Sequence, residues 1–372
     1  IGALLFGPKY VDSKINQTSI HAPFEVSDKA KKLHKDLLIG DWHADSTLWN
    51  RDLSNRYDYG HVDIPRLQKG NVALQMFTSV SKSPRGQNYN KNETSANDNI
   101  TSLVILQRWP IKTWNSLAER VIYQARKIRT LEKEDSQNFM LILSQSDLDE
   151  FLQKRKSNSD LIGGLLGTEG SHALDGELKN IERLFNEGFR MMSLQHFFDN
   201  KLGGSLHGIS GNGLTQFGQE AIQEMLRLGI MIDVSHSSEN VVNDVLNLSD
   251  QPILVSHTGF NGHCPSSRNI SDSLMKEIAK KDGLVAVGFW HAAVCNNTPQ
   301  SVAEAIQYGI ELIGAKHVAL GSDFDGAVRP GFDTSELVAI THELLEAGVK
   351  ESEIRLVMGE NMLNFLKKNL AD

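Results

Sequence analysis

Eight short apolar runs, each followed by a stretch of different character, constrain this chain more than any other feature of it. They are LLIGDWH (37–43), VALQMFTSV (72–80), LIGGLLGTE (161–169), FRMMSLQH (189–196), GIMIDVSH (229–236), PILVSHT (252–258), GLVAVGFWH (283–291) and HVALGSD (317–323). Each has the length of a buried strand, and none alternates cleanly between apolar and polar residues. That is the pattern of parallel strands covered on both faces. Between them, GELKNIERLFNEG, TQFGQEAIQEMLRLG, SENVVNDVLNLS, SDSLMKEIAKKDG and SVAEAIQYGIELIG place apolar residues at three- and four-residue spacing. Several open on Ser or Thr and several close on Gly, the usual helix boundaries. Strand and helix alternating in this way predict an α/β fold, a (β/α)8 TIM barrel. The competing architecture is a doubly wound open sheet, but no G-x-G-x-x-G turn follows the first run.

One region breaks the rhythm. Residues 81–100, SKSPRGQNYNKNETSANDNI, are almost wholly polar and predict a loop directly after the second strand. A helical stretch follows over 101–134, and MLILS (140–144) reads as a small extra strand outside the barrel. No linker or repeat interrupts the rest. The expected organisation is an N-terminal extension, 1–35, and a single domain, 36–370, with an insertion at 81–136. The extension opens IGALLFGPKYV, which reads equally as the stub of a removed signal or anchor and as an apolar end packed on the domain. No apolar run reaches the roughly 18–20 residues needed to cross a bilayer. A formal charge of −8 without any dense Lys/Arg stripe argues against nucleic acid as the main partner.

The chemistry gathers at the ends of the strands. Of 13 histidines, His21, His34, His61, His207 and His342 lie in polar or helical contexts and are expected at the surface. His43, His196, His236 and His257 instead terminate apolar runs, and His291 ends another beside Trp290. One such histidine is more often a hydrogen-bonded core residue than a ligand. Several at one end of a parallel barrel converge on the face where active sites are built. Asp45 stands two residues after His43, so an extended backbone points both to one side. Glu169 and Asp323 end two further runs, where a carboxylate is costly without a cation or hydrogen-bond partner. Imidazoles and carboxylates without thiolate suit Zn²⁺ or a similar metal. The set is larger than one catalytic ion usually takes, so two ions sharing a carboxylate fit better. Asp41 and Trp42 read only as local packing or support.

GDWHAD, LLGTEGSHAL, MMSLQH, GLTQFGQE, MIDVSHSS, ILVSHT, CPSSRNI and GSDFDG together resemble, in this order, the membrane dipeptidase (renal dipeptidase) family of metallopeptidases, peptidase family M19, within the amidohydrolase barrels. The likeness runs over about 36–368. It implies a binuclear zinc dipeptidase. His43 and Asp45 would bind the first Zn²⁺, Glu169 would bridge both, and His236 and His257 would bind the second. A metal-bridging hydroxide would attack the peptide bond. His196 would act on the substrate side, stabilising the oxyanion. Arg268 would hold the free carboxylate of a dipeptide, and Asp323 would handle the proton. Asp325 competes with Asp323 for that role and ranks second, because it lies in the loop beyond the strand.

Cys264 and Cys295 are the only cysteines. Taken alone they read as two buried thiols or as one disulfide, worth roughly 3–4 kcal/mol in the chain-entropy model. The resemblance favours the disulfide. With the apolar N-terminus it implies an exported protein, periplasmic or extracellular, with a membrane tether and a homodimer left open. Two other classes remain in view: another amidohydrolase, such as an N-acyl-amino-acid deacylase or lactonase, and a barrel kept as a non-enzymatic scaffold. Against the scaffold, no expected ligand is missing. The polar loop could rim the mouth of the site or be a solvated surface insertion.

Overall fold

The computed structural model describes the backbone of residues 2–372 and the side chains from residue 7 onward. Nine parallel strands form one sheet: β1 (Ile39–Ala44), β2 (Val72–Val80), β3 (Phe139–Leu141), β4 (Ile162–Glu169), β5 (Phe189–Ser193), β6 (Met231–Asp233), β7 (Leu254–Thr258), β8 (Leu284–Val287) and β9 (Val318–Leu320). The order β2-β1-β9-β8-β7-β6-β5-β4 closes on itself, because β2 also pairs with β4 in unbroken register from Leu74↔Gly163 to Val80↔Glu169. This is an eight-stranded (β/α)8 barrel. β3 is the extra strand, pairing only with the first residues of β4. Gly164 permits that approach, since a Cβ there would stand 2.1 Å from the Phe139 ring.

The apolar runs are continuous because both faces of every strand are covered. Leu74, Met76, Leu165, Met191, Leu254 and Ala286 fill the barrel together with Met362 and Phe365 of the C-terminal helix Asn361–Asn369. Trp42 is wholly buried there, edge-on to Phe365 at 5.6 Å between centroids, so it does pack locally. The opposite faces of the strands meet the surrounding helices in a second, larger apolar cluster. The helix Gln216–Leu228 shows how boundaries are set: Thr215 accepts the Gly218 amide, and Gly229 ends the helix at φ +72°.

The polar stretch expected as a loop over 81–100 is one as far as Asp98, which caps the first of the helices Asn99–Leu106, Lys112–Asn115 and Leu117–Glu134. Arg120, fully buried, staples both ends of the loop by donating to the Ser81 carbonyl and to Asp98 Oδ2, each at 2.7 Å. The N-terminal helix Gly2–Ile15 also carries buried groups. Asp12 is 3 % exposed and pairs with Arg51 Nε at 3.0 Å, while Asn16 donates its side-chain amide to Asp12 at 2.8 Å. Among the described residues no helix is long and apolar enough to cross a membrane.

Three histidines expected at the surface are buried: His34, His61 and His207. For His34 the polar neighbours hid this, because Lys35 and Asp36 are exposed while the imidazole points in. His34 Nδ1 hydrogen-bonds the Thr341 hydroxyl (2.8 Å) and its Nε2 donates to the Gly70 carbonyl (3.1 Å), which holds the ring inside the protein. Burial pushes its pKa down to about 4, from 6.5. Between those values the unfolded chain binds the extra proton and the folded chain does not. Stability from this group is therefore present above the unfolded pKa and is lost as pH falls from about 6.5 towards 4, by about 3 kcal/mol in all. Urea unfolding of chelator-treated protein at pH 7 and pH 4.5 should show that loss reduced by about 2 kcal/mol in His34→Gln. An unchanged acid dependence would remove His34 as its source.

Candidate metal centre and substrate cavity

His43, Asp45, Glu169, His196, His236, His257, Arg268 and Asp323 come together at the C-terminal face of the barrel. Glu169, the last residue of β4, is the hub. Its Oε1 lies 3.5 Å from His43 Nε2, 3.3 Å from His236 Nε2 and 3.5 Å from His257 Nε2, and its Oε2 lies 3.3 Å from His196 Nε2. The Nε2 atoms of His236 and His257 are 2.9 Å apart. Asp45 Oδ1 stands 3.6 Å from His43 Nε2 and accepts the Thr78 hydroxyl at 2.6 Å. Donor atoms of His43, Glu169, His257 and Asp323 lie within 4.8 Å of one another, as do those of Glu169, His196 and His236. His236 and His257, expected to share one ion, both face Glu169 Oε1, and Asp323 lies beside His43 and His257.

Sequence reasoning did not find the residues that orient these rings. Ser256 gives its proton to Asp233 Oδ2 at 2.7 Å, leaving its oxygen to accept from Nδ1 of both His43 and His257 at 3.0 Å. That fixes the tautomer and turns both Nε2 atoms toward Glu169. The available signal was a Ser immediately before each histidine in VSHSS and VSHT, and the Asp that ends β6. Asp41 does comparable work for β1. It accepts the amide and hydroxyl of Ser322 at 2.8 and 2.7 Å, tying β1 to the end of β9 where Asp323 begins its turn.

Charge at this centre is unbalanced in a way that suits cations. Burial and neighbouring positive groups push His236 and His257 well below the ordinary histidine range. Burial opposes the charged form of His43, but Asp45 and Glu169 outweigh it and hold that ring well above the ordinary range. His43 Nε2 is nonetheless buried without a hydrogen-bond partner. Imidazole nitrogens and carboxylate oxygens aimed at one small volume are the donor set of a first-row metal site.

Asp323 and Asp325 separate cleanly. Asp323 lines the cavity and adopts φ +59°, an unfavourable conformation for a residue with a Cβ. Asp325 turns away, pairing with Arg51 at 2.8 Å and accepting from Ser46 Oγ at 2.7 Å and the His61 amide at 2.8 Å. A cavity of about 80 Å³ opens beside the cluster, with Asp45, Glu169, His196, His236, Arg268 and Asp323 on its wall. Arg268 is fully buried and donates to the carbonyls of Ser235 (3.0 Å) and His257 (2.7 Å), but forms no ion pair among the described residues. The Cys264–Cys295 disulfide, with Cα atoms 5.4 Å apart, joins the loop carrying Arg268 to the segment after Trp290. His291 is exposed at the start of a short helix and takes no part in the cavity wall.

A closed parallel barrel with this donor cluster on its C-terminal face defines a metal-dependent hydrolase. The chain belongs to the membrane dipeptidase family (peptidase family M19), whose model matches residues 27–371, and so to the metal-dependent dipeptidases that hydrolyse peptide bonds. It is 29 % identical over 370 residues to the dipeptidase aclJ of Aspergillus oryzae, covering 90 % of this chain and 81 % of that one. Its fold is shared with a metallopeptidase of Rhodobacter sphaeroides liganded with a phosphinate mimic of the dipeptide L-Ala-D-Ala (TM-score 0.69, 22 % identity, 90 % of this chain and 99 % of that one). An amidohydrolase of Pseudomonas aeruginosa is similar to the same degree (TM-score 0.69, 22 % identity, 92 % and 99 %).

Proposed function

We propose that this chain cleaves dipeptides with a free C-terminal carboxylate, using two Zn²⁺ held by His43, Asp45, Glu169, His236 and His257, with Glu169 between them. The observation that carries the substrate reading is Arg268, a buried guanidinium without a carboxylate partner on the wall of the cavity that also exposes Glu169 and Asp323. When bound, the ions would polarise the scissile carbonyl and acidify a water molecule. Arg268 fixes the terminal carboxylate and so the distance to the scissile bond, which excludes C-terminal extensions. His196 donates from Nδ1 to the Lys82 carbonyl at 2.7 Å. That bond turns Nε2 toward Glu169 Oε2, 3.3 Å away, and toward the cavity, where it faces the developing oxyanion. Asp323 takes a proton from water and returns it to the leaving amine. An N-acyl-amino-acid deacylase is the second reading, because Arg268 identifies the carboxylate side of the substrate and not the acyl side.

The disulfide supports an oxidising compartment, so we place the protein in the periplasm or outside the cell, with an N-terminal membrane tether as part of the same proposal. The direct test of function is an assay of metal-saturated protein against L,L- and L,D-dipeptides and N-acyl amino acids. Dipeptide turnover with two metals per chain is the expected result. Fast deacylation without dipeptide cleavage would replace the first reading by the second. Far below two metals per chain, with no hydrolysis, would leave a scaffold.

A further inference from the structure

The polar loop 81–100 reaches the cavity. Its stem is held by Arg120 and Asp98, and its tip is pinned on two sides. On one side the Tyr89 carbonyl accepts from His207 Nδ1 at 2.9 Å, and Asn92 donates its backbone and side-chain N–H groups to the His207 carbonyl at 2.8 and 2.9 Å. On the other, Ser267, the neighbour of Arg268, donates to Asn90 Oδ1 at 3.0 Å. Between these anchors the Tyr89 ring leans on Phe197 and His207, with centroids 5.7 and 5.5 Å apart. Tyr89 lines the same cavity as Arg268 and Asp323, with the Trp290 indole beside its hydroxyl. Arg268 itself lies over the Trp290 ring at 5.3 Å. Burial pushes the phenol up to about 12, so at neutral pH it keeps its proton and remains a donor.

We propose that Tyr89 is a specificity-determining residue, which the 81–100 loop brings alongside Arg268 so that its hydroxyl donates to the terminal carboxylate of a dipeptide. This rests on the dipeptidase reading above and adds a contact from a part of the chain outside the barrel motifs. Arg268 spends two of its N–H groups on backbone carbonyls, and a neutral donor beside it completes the binding of a planar anion. Tyr89→Phe removes only the hydroxyl and keeps the ring against Phe197 and His207.

The test is calorimetric titration of zinc-loaded wild type and Tyr89→Phe with a phosphinate dipeptide mimic and with its C-terminal carboxamide. Tyr89→Phe should bind the free acid about 10-fold more weakly. Affinity for the carboxamide should change less than twofold, and in turnover KM for a dipeptide should rise while kcat holds. Unchanged affinity for the acid, or equal weakening of acid and carboxamide, would overturn the proposal while leaving the dipeptidase reading intact. If the wild type binds neither ligand, the dipeptidase reading fails and the role of Tyr89 falls with it.

Discussion

Asp323→Asn should keep its metal and lose about a thousandfold in kcat, the scale expected when a positioned proton carrier is removed. The turn that presents this side chain stays in place without the carboxylate. The Asp323 amide donates to the His43 carbonyl at 3.1 Å, and its own carbonyl accepts the Gly326 amide at 3.1 Å. Asn fills the same space, so the backbone bonds that hold φ +59° survive the change. Steady-state kinetics with metal analysis on one preparation reads the outcome. A near-normal kcat would take Asp323 out of proton transfer. Loss of metal together with activity would make it a ligand, as its nearness to His43, Glu169 and His257 allows. Asp325→Asn is the contrasting variant: it strikes the Arg51 pair outside the cavity and should act on stability first.

Arg268→Met should raise KM for dipeptides by about 30-fold or more, the effect of removing one member of a buried, hydrogen-bonded charge pair. Burial lowers the Arg268 pKa, so the protein holds this cation at a cost, offset by two carbonyls and by nearby Asp323 and Glu169. Substrate carboxylate would complete the pair. Wild type should therefore prefer a free dipeptide to its C-terminal amide, and Arg268→Met should handle the two alike. A variant equally slow on both, with the preference retained, would show that Arg268 shapes the pocket without contacting the carboxylate. Lysine is not an adequate substitute, because a point charge lacks the fork that reaches two carbonyls and a ligand together.

The alternation of apolar runs and amphipathic segments was enough to read the barrel, because both strand faces are covered and leave no polar interruption. β2 coincides with VALQMFTSV. Other runs overshoot their strands, and the reason is physical. GIMIDVSH yields only Met231–Asp233, because the Asp233 carboxylate takes the amides of Ser235 at 3.1 Å and Ser256 at 2.9 Å, where a ladder would have continued. HVALGSD yields only Val318–Leu320, because Asp41 captures the Ser322 amide. The carboxylates that trim the strands also free the following residues to turn into the cavity. The acids and imidazoles were legible as strand-terminal residues. Ser256 and Thr78 were not, since a hydroxyl in a strand carries no mark of its partner. Nor was Tyr89, whose place depends on a loop folding back about 120 residues to meet His207, a contact with no local periodicity.

The buried C-terminal turn of the N-terminal helix, at Asp12, gives that part of the chain a fixed address. Asp12 answers one nitrogen of Arg51, and Asp325 answers another at the base of the turn that carries Asp323. Stripping Asp12 away would leave a guanidinium inside the protein with half its counter-charge, next to the loop on which the proposed chemistry depends. Trimming the chain past Asp12 would therefore reach the turn of Asp323 without touching the cavity, which makes the N-terminal helix a matter of catalytic fitness as well as of stability.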